Sequence, residues 1–125
     1  MTTVVLDAGA LIALERGDRR VLALLQELIR GRVAAHVPAT VVGQAWRGSP
    51  RQHGVTRLLK AEAVRVHPFS EQVAYRVGVL LASTRTADVV DAHVALLARS
   101  LAAPVLTSDP ADLERLDPSL TLFPV

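Results

Sequence analysis

Short apolar segments alternate with segments of helical periodicity along the whole chain. The first is Thr3–Leu6, which an apolar helix follows after Asp7, and the same succession recurs up to residue 123. Strands that alternate with helices favour a parallel sheet, because each helix carries the chain back to the start of the next strand. The alternation therefore predicts an α/β protein with helices on both faces of a parallel sheet.

The limits of these elements follow from apolar periodicity and from capping and turn residues. The predicted strands are residues 3–6, 33–37, 63–66, 104–107 and 120–123. The predicted helices are residues 8–15, a helix that Asp18 caps and Gly31 ends, a helix from Pro38 through Trp46, residues 51–60, a helix that Ser70 caps and that runs through Leu81, residues 88–101, and a short helix from Ser108-Asp109-Pro110 to Leu116. Residues 83–86 are predicted as a polar joint, and residues 88–101 as a buried central helix because they are apolar on most sides.

Length and composition narrow the class of protein. A chain of 125 residues, half of them apolar, fits a single domain over residues 1–125 with one core. No apolar run is long enough for a membrane span, and no secretory signal is visible, so we expect no membrane partner. The absence of cysteine excludes disulfides, thiolate zinc sites and cysteine nucleophiles, and is compatible with a cytoplasmic protein. Thirteen arginines against one lysine, at a net charge of +2, permit a nucleic-acid partner.

Four aspartates lie at positions where they could form a functional site. Asp7 and Asp109 each lie just past an apolar strand, and Asp88 and Asp91 are three residues apart at the start of the most apolar helix. Residues three apart on a helix lie about 5–6 Å from each other. Each aspartate alone is as readily explained as a helix cap, with Asp112 completing a capping box after Asp109.

Together the four aspartates favour a metal site. In a doubly wound sheet these helix starts lie at one edge, where such folds bind ligands. Carboxylates gathered there repel one another unless a cation lies between them. Oxygen ligands without His or Cys suit Mg²⁺ or Mn²⁺, and such ions activate water against a phosphodiester.

Three segments of the chain resemble the PIN domain, and within it the ribonuclease toxins of VapB–VapC toxin–antitoxin modules. They are Val5-Leu6-Asp7-Ala8-Gly9-Ala10-Leu11-Ile12-Ala13-Leu14, Val89-Val90-Asp91-Ala92-His93-Val94-Ala95-Leu96-Leu97-Ala98 and Val105-Leu106-Thr107-Ser108-Asp109. Each segment alone is weak, but the ordered set spans essentially the whole chain.

The resemblance implies a PIN-like three-layer α/β/α sandwich with a five-stranded parallel sheet of order 3-2-1-4-5. It also implies an acidic pocket for Mg²⁺ or Mn²⁺, an RNA substrate, a cognate antitoxin and a homodimer. By resemblance, Asp7, Asp91 and Asp109 match the metal-site acids, and Asp88 is the auxiliary acid.

The chain departs from this family at one position. The family usually carries a Glu on the helix after strand two, where this chain has Gln44. An amide oxygen can ligate a metal or hold a metal-bound water, but it brings no negative charge. Either Asp88 restores the missing charge, or the site binds metal poorly.

Other polar residues near these segments are candidates for supporting roles. Thr107 and Ser108 are candidates for orienting carboxylates or the attacking water, with helix capping as the alternative. Arg47 and Arg51, near the break at residues 48–50, are candidate RNA contacts. Arg85 either grips a phosphate or neutralises the acids. The four histidines lack metal-ligand spacing, and none is assigned a catalytic role.

The sequence thus predicts a metal-dependent endoribonuclease that acts as the toxin of a toxin–antitoxin pair. The alternative is a catalytically weak or inactive PIN domain that binds RNA or a partner protein, which Gln44 favours. A receiver-type signalling domain also gathers acids at strand ends, but it needs an Asp after strand three and a Lys near strand five. Here strand three ends in Val66-His67-Pro68 and the only lysine is Lys60, which argues against a receiver.

Overall fold

The computed structural model describes residues 2–125 and is built on a sheet of five parallel strands. The strands follow the order β3-β2-β1-β4-β5. They are β1 (Thr2–Leu6), β2 (Val33–Pro38), β3 (Val64–His67), β4 (Val105–Thr107) and β5 (Leu122–Pro124). The predicted α/β class and strand order are confirmed.

Seven helices connect the strands within the part of the chain described. They are α1 (Ala8–Glu15), α2 (Arg19–Ile29), α3 (Ala39–Ala45), α4 (His53–Lys60), α5 (Glu71–Thr84), α6 (Val89–Leu101) and α7 (Pro110–Leu116). A 3₁₀ turn, Pro50–Gln52, precedes α4. None of the helices between residues 2 and 125 is long and apolar enough to cross a membrane.

The core lies on both sides of β1. Val5 and Leu6 are completely buried because β1 runs between β2 and β4 and helices cover the sheet. Helix α6 packs on β1 and β2 and contacts α3, α5 and α7. Six of its thirteen residues are buried, as its apolar sequence predicted.

The structure corrects the predicted polar joint at residues 83–86. Helix α5 continues through the first half of this segment and ends at Thr84. The hydroxyls of Ser83 and Thr84 donate hydrogen bonds of 2.9 and 2.8 Å to the carbonyl of Leu80. Because the helix backbone satisfies these side chains, their polarity does not break the helix.

The other boundaries agree with the prediction or differ from it by up to three residues. Pro38 closes β2 and precedes α3 without a side-chain cap, where the sequence predicted it as the first helical residue. Arg51 lies in the 3₁₀ turn and not in α4. Strand β5 begins two residues later than predicted because the Leu120 N–H turns back to the carbonyl of Asp117, 3.3 Å away.

The carboxyl ends of β1 and β4 bring two of the candidate acids to one edge of the sheet. The strands are neighbours, and the Asp7 N–H donates a 3.2 Å hydrogen bond to the carbonyl of Leu106. Asp7 therefore emerges beside Thr107, two residues before Asp109.

Candidate functional site

Asp7 is a buried carboxylate at the start of α1. Its side chain is 5% exposed, and its Oδ1 accepts a 2.9 Å hydrogen bond from the Ala10 N–H. Burial raises the pKa of Asp7, the Thr107 hydroxyl and the Ala10 and Gly9 amides lower it, and the charge of Asp109 raises it. The net direction is upward, so a nearby cation would stabilise the ionised form.

Thr107 connects Asp7 with Asp109. It is completely buried, its hydroxyl lowers the pKa of Asp7, and its Oγ1 accepts a 2.8 Å hydrogen bond from the Asp109 N–H. Asp109 itself is exposed, and its side chain makes no capping bond to α7. The capping explanation therefore fails at this position, which leaves the carboxylate available for another role.

Asp88 and Asp91 occupy the beginning of α6. Asp88 is exposed and caps the helix, with its Oδ1 accepting a 2.9 Å bond from the Asp91 N–H. Burial, and then the charges of Asp88, Asp112, Asp7 and Asp109 in decreasing order of effect, together raise the pKa of Asp91 to about 7. Every charge that acts on this pKa is thus another carboxylate.

Asp112 is a member of this cluster that the sequence reasoning missed. The sequence predicts it as part of a capping box, but Asp109 does not cap α7. Burial, the charge of Asp112 and a hydrogen bond with Asp112 raise the pKa of Asp109, and Asp88 adds to the effect. The signal in the sequence was the three-residue spacing of Asp109 and Asp112, which repeats that of Asp88 and Asp91.

A cavity of about 220 Å³ lies against these acids. Its wall runs from the turn between α5 and α6 to α7, and is lined by Arg85, Thr86, Ala87, Asp88, Asp91, Asp112, Arg115 and Leu116. The structure thus places Asp88, Asp91 and Arg85 in one cavity. Asp7 and Asp109 lie outside its lining, and both interact with Thr107.

The donor atoms of the cluster fit a hard divalent cation. All are carboxylate or hydroxyl oxygens, the ligands that Mg²⁺ and Mn²⁺ prefer. No ion pair between residues 2 and 125 involves Asp7, Asp88, Asp91, Asp109 or Asp112. No three His, Asp or Glu side chains in this range form a group that could hold an ion as they stand. A cation here would require the carboxylates to draw together around it.

Besides Asp7, Thr107, Ser108 and Asp109, three further predicted positions do not line this cavity. Gln44 is exposed on α3. Arg47 donates hydrogen bonds of 3.1 and 2.9 Å to the carbonyls of Gly43 and Trp46. Arg51 is exposed in the 3₁₀ turn, where its N–H bonds to Ser49. None of the three lines the cavity beside Asp91.

Ser108 lies over the first turn of α1. A Cβ added to Gly9 would come within 2.5 Å of the Ser108 Cβ and 3.0 Å of its backbone nitrogen. Gly9 therefore allows the loop after β4 to approach α1 closely, which holds Asp109 near Asp7.

The histidines belong to a different region. His93 is buried, with its Nδ1 2.8 Å from the Thr40 Oγ1, and its ring packs against Phe69. His36 Nδ1 lies 2.7 Å from His67 Nε2. None of these three side chains lines the cavity beside Asp91.

An all-parallel sheet of order 3-2-1-4-5, with carboxylates beyond β1 and β4 and at the start of α6, defines an α/β protein with an acidic site at the carboxyl edge of its sheet. The family can be stated more narrowly. The model of the PIN domain family matches residues 4–117, and the chain belongs to this family. No curated protein matches the chain significantly.

Solved structures share the fold over nearly the whole chain. A chain of VapBC2 from Rickettsia felis, bound to a DNA fragment from the promoter, matches with a TM-score of 0.66 and 14% identity, over 99% of each chain. FitAcB from Neisseria gonorrhoeae matches with a TM-score of 0.61 and 19% sequence identity, over 96% of each chain. PAE2754 from Pyrobaculum aerophilum matches with a TM-score of 0.61 and 18% sequence identity, over 97% of this chain and 83% of the PAE2754 chain.

Proposed function

We propose that the protein is a Mg²⁺- or Mn²⁺-dependent endoribonuclease that acts in the cytoplasm as the toxin of a toxin–antitoxin pair. The observation that carries the proposal is the environment of Asp91, where carboxylates at the starts of α1, α6 and α7 act on one half-buried carboxyl group. Such an arrangement is costly without a cation, so its presence in a PIN domain supports a metal-binding role.

Asp7, Asp91 and Asp109 would hold the ion, with Asp88 as the auxiliary acid. When bound, a divalent ion lowers the pKa of a water ligand and offsets charge on the phosphate. The Thr107 hydroxyl holds the backbone of Asp109 through a hydrogen bond and lowers the pKa of Asp7. Asp88 fixes the first turn of α6 and thereby the backbone of Asp91.

The toxin role and its partners rest on the family and on its structural relatives. VapBC2 is a protein assembly bound to promoter DNA. By analogy we propose that this chain pairs with an antitoxin and forms a homodimer, and that its substrate is RNA.

A PIN domain that binds RNA or a partner protein without cutting RNA is the second candidate. Two observations favour it: Gln44 replaces the usual acid, and no three acidic or histidine side chains in residues 2–125 are already grouped to hold an ion. The two candidates differ in whether RNA is cleaved.

Incubation of the purified protein with a labelled single-stranded RNA in Mg²⁺, Mn²⁺ or EDTA tests the proposal. We expect cleavage with either metal, none in EDTA, and a loss of at least about 100-fold in Asp91→Asn and Asp7→Asn. Glu62→Gln, which alters an exposed carboxylate on the loop before β3, is the matched control. RNA binding without cleavage in either metal would establish the second candidate instead.

Expression in a bacterial host tests the toxin role separately. We expect growth arrest with the wild-type chain, and normal growth with Asp7→Ala at equal expression. Equal growth of cells that carry either chain would contradict the toxin role without touching the nuclease assay.

A further inference from the structure

Two arginines share the cavity beside Asp91 with the carboxylates. Arg85 is the C-cap residue of α5, and Arg115 lies in the last turn of α7. Both line the cavity together with Asp88, Asp91 and Asp112. A guanidinium this near a carboxylate usually forms a charge-assisted hydrogen bond with it.

Neither guanidinium does so here. The ion pairs within residues 2–125 involve Arg20, Arg30, Arg32 and Arg99, and none involves Arg85 or Arg115. No side-chain hydrogen bond of these two arginines is formed within that range either. Arg85 therefore forms no ion pair with the acids in the part of the chain described. Its donors and those of Arg115 remain free for a ligand.

The backbone around Arg85 is held in place. Arg85 adopts the left-handed conformation with φ 56°, which non-glycine residues seldom adopt. The Thr86 N–H bonds to the carbonyl of Leu81 at 3.1 Å, and the hydroxyls of Thr84 and Thr86 are 2.9 Å apart. These bonds fix the point from which the Arg85 side chain leaves the main chain.

We propose that Arg85 and Arg115 together bind a backbone phosphate of single-stranded RNA, next to the phosphate that is cut. The proposal rests on the proposed function, because it assumes that RNA enters the acidic site. Five carboxylates repel RNA, and free guanidinium donors beside them supply the opposite charge in the bidentate form that phosphates accept. A phosphate next to the cleaved one is held equally before and during the reaction, so the contact lowers KM and leaves kcat unchanged.

We call Arg85 and Arg115 together the phosphate clamp. RNA binding measured in EDTA, where no metal-dependent cleavage occurs, tests the clamp. The probe is a fluorescein-labelled single-stranded RNA of mixed sequence, and the readout is anisotropy at several salt concentrations. Arg85→Ala and Arg115→Ala should each raise Kd about 10-fold, as the loss of a charge-assisted bond predicts. Each should also reduce the slope of log K against log salt, and the double variant should reduce it by about 0.7, the value for the one phosphate of a single strand that the two arginines share.

Two further variants distinguish a specific effect of Arg85 and Arg115 from a general effect of net charge, and an unfolding measurement excludes misfolding. Arg65→Ala removes an exposed arginine on β3, at the opposite edge of the sheet, and should leave Kd and slope close to those of the wild type. Arg115→Lys keeps the charge and should restore the slope, with only part of the affinity. Thermal unfolding of each variant shows whether the fold is retained.

The outcomes distinguish this inference from the proposed function. An unchanged Kd and slope in both alanine variants would overturn the clamp, even if the wild type cuts RNA. Weaker binding in both variants with no cleavage by the wild type would support the clamp and refute the nuclease. With cleavage, a raised KM at constant kcat supports the clamp, and a fall in kcat alone contradicts it.

Discussion

The Oγ1 atom of Thr107 lies 2.8 Å from the backbone nitrogen of Asp109 and accepts its hydrogen bond. The same hydroxyl lowers the pKa of the Asp7 carboxylate. A single buried threonine thus links two acids that are 102 positions apart in the chain.

Thr107→Val, which keeps the shape of the side chain, should therefore weaken both the fold and the site. We expect a loss of about 1–2 kcal/mol in the free energy of unfolding, because buried partners are left unsatisfied. The pKa of Asp7 should rise further without the hydroxyl, so Mg²⁺ affinity by calorimetry should fall most at acidic pH. Thr107→Ser keeps the hydroxyl and should retain most of the affinity. Equal Mg²⁺ affinities for the Val variant and the wild type would contradict this role.

Asp91→Asn should stabilise the metal-free protein. The folded pKa of about 7 lies above the unfolded value of 3.8, so the folded state holds the proton more tightly. The contribution of Asp91 to the free energy of unfolding therefore falls as the pH rises from about 4 to 7. Above pH 7 the contribution does not change further. At pH 8 we expect a gain of about 1–2 kcal/mol for the variant, allowing for partial exposure of the group.

Denaturant unfolding in EDTA at pH 5 and pH 8 measures this effect. The gain should be larger at pH 8, and Mg²⁺ should stabilise the wild type more than the variant. A variant less stable than the wild type at pH 8 in EDTA would show that the carboxylates do not repel one another there.

Asp117→Asn should destabilise the protein, in contrast to Asp91→Asn. Hydrogen bonds from the Ser119 hydroxyl and amide, and the Arg99 guanidinium, hold the pKa of Asp117 below its usual value against the effect of burial. The Arg99 Nε lies 2.9 Å from Oδ2, and the Ser119 Oγ lies 2.6 Å from Oδ1. The stabilisation is present above the unfolded pKa of 3.8 and is lost as the pH falls through the lowered folded value.

Unfolding of Asp117→Asn should show a loss of about 1–3 kcal/mol at pH 7 that shrinks below about pH 4. Asp117 does not line the cavity beside Asp91, so RNA cleavage per folded molecule should stay the same. A loss that is the same at pH 3 and pH 7 would mean that packing, and not charge, is responsible.

Gly9→Ala should destabilise the fold and displace Asp109. The new Cβ would meet the Cβ and the backbone nitrogen of Ser108, at 2.5 and 3.0 Å, so the loop after β4 must move. We expect a cost of about 1–3 kcal/mol and weaker Mg²⁺ binding. Gly43→Ala is the matched control, because no atom lies within 4 Å of its added Cβ. That variant should gain about 0.5–1 kcal/mol, since alanine favours the helix. Similar stability of the two variants would contradict the close approach at Gly9.

Gln44→Glu should tighten Mg²⁺ binding measured by calorimetry, because it restores a negative charge at the position where the family usually has an acid. Gln72→Glu, at an exposed glutamine on α5, is the control for added charge. If Gln44→Glu leaves the affinity unchanged or weakens it, Gln44 does not face the ion.

Local sequence signals accounted for most of the fold. Asp18 and Ser70 cap α2 and α5 as predicted, and Asp7 and Asp88 cap α1 and α6. The polar residues Ser83 and Thr84 misled the prediction, because their hydroxyls bond to the helix that they were expected to end. Such signals act over four residues or fewer, which is why a reading of the chain detects them.

The sequence by itself determined the succession of strands and helices and, through the carboxyl ends of parallel strands, the edge at which the acids collect. Tertiary structure alone decided that Asp109 leaves α7 uncapped, that Asp112 joins Asp91, and that Arg85 and Arg115 share a cavity without pairing to its acids. The reason is physical: capping and periodicity depend on neighbours along the chain, whereas these relationships depend on how α5, α6 and α7 pack against one another.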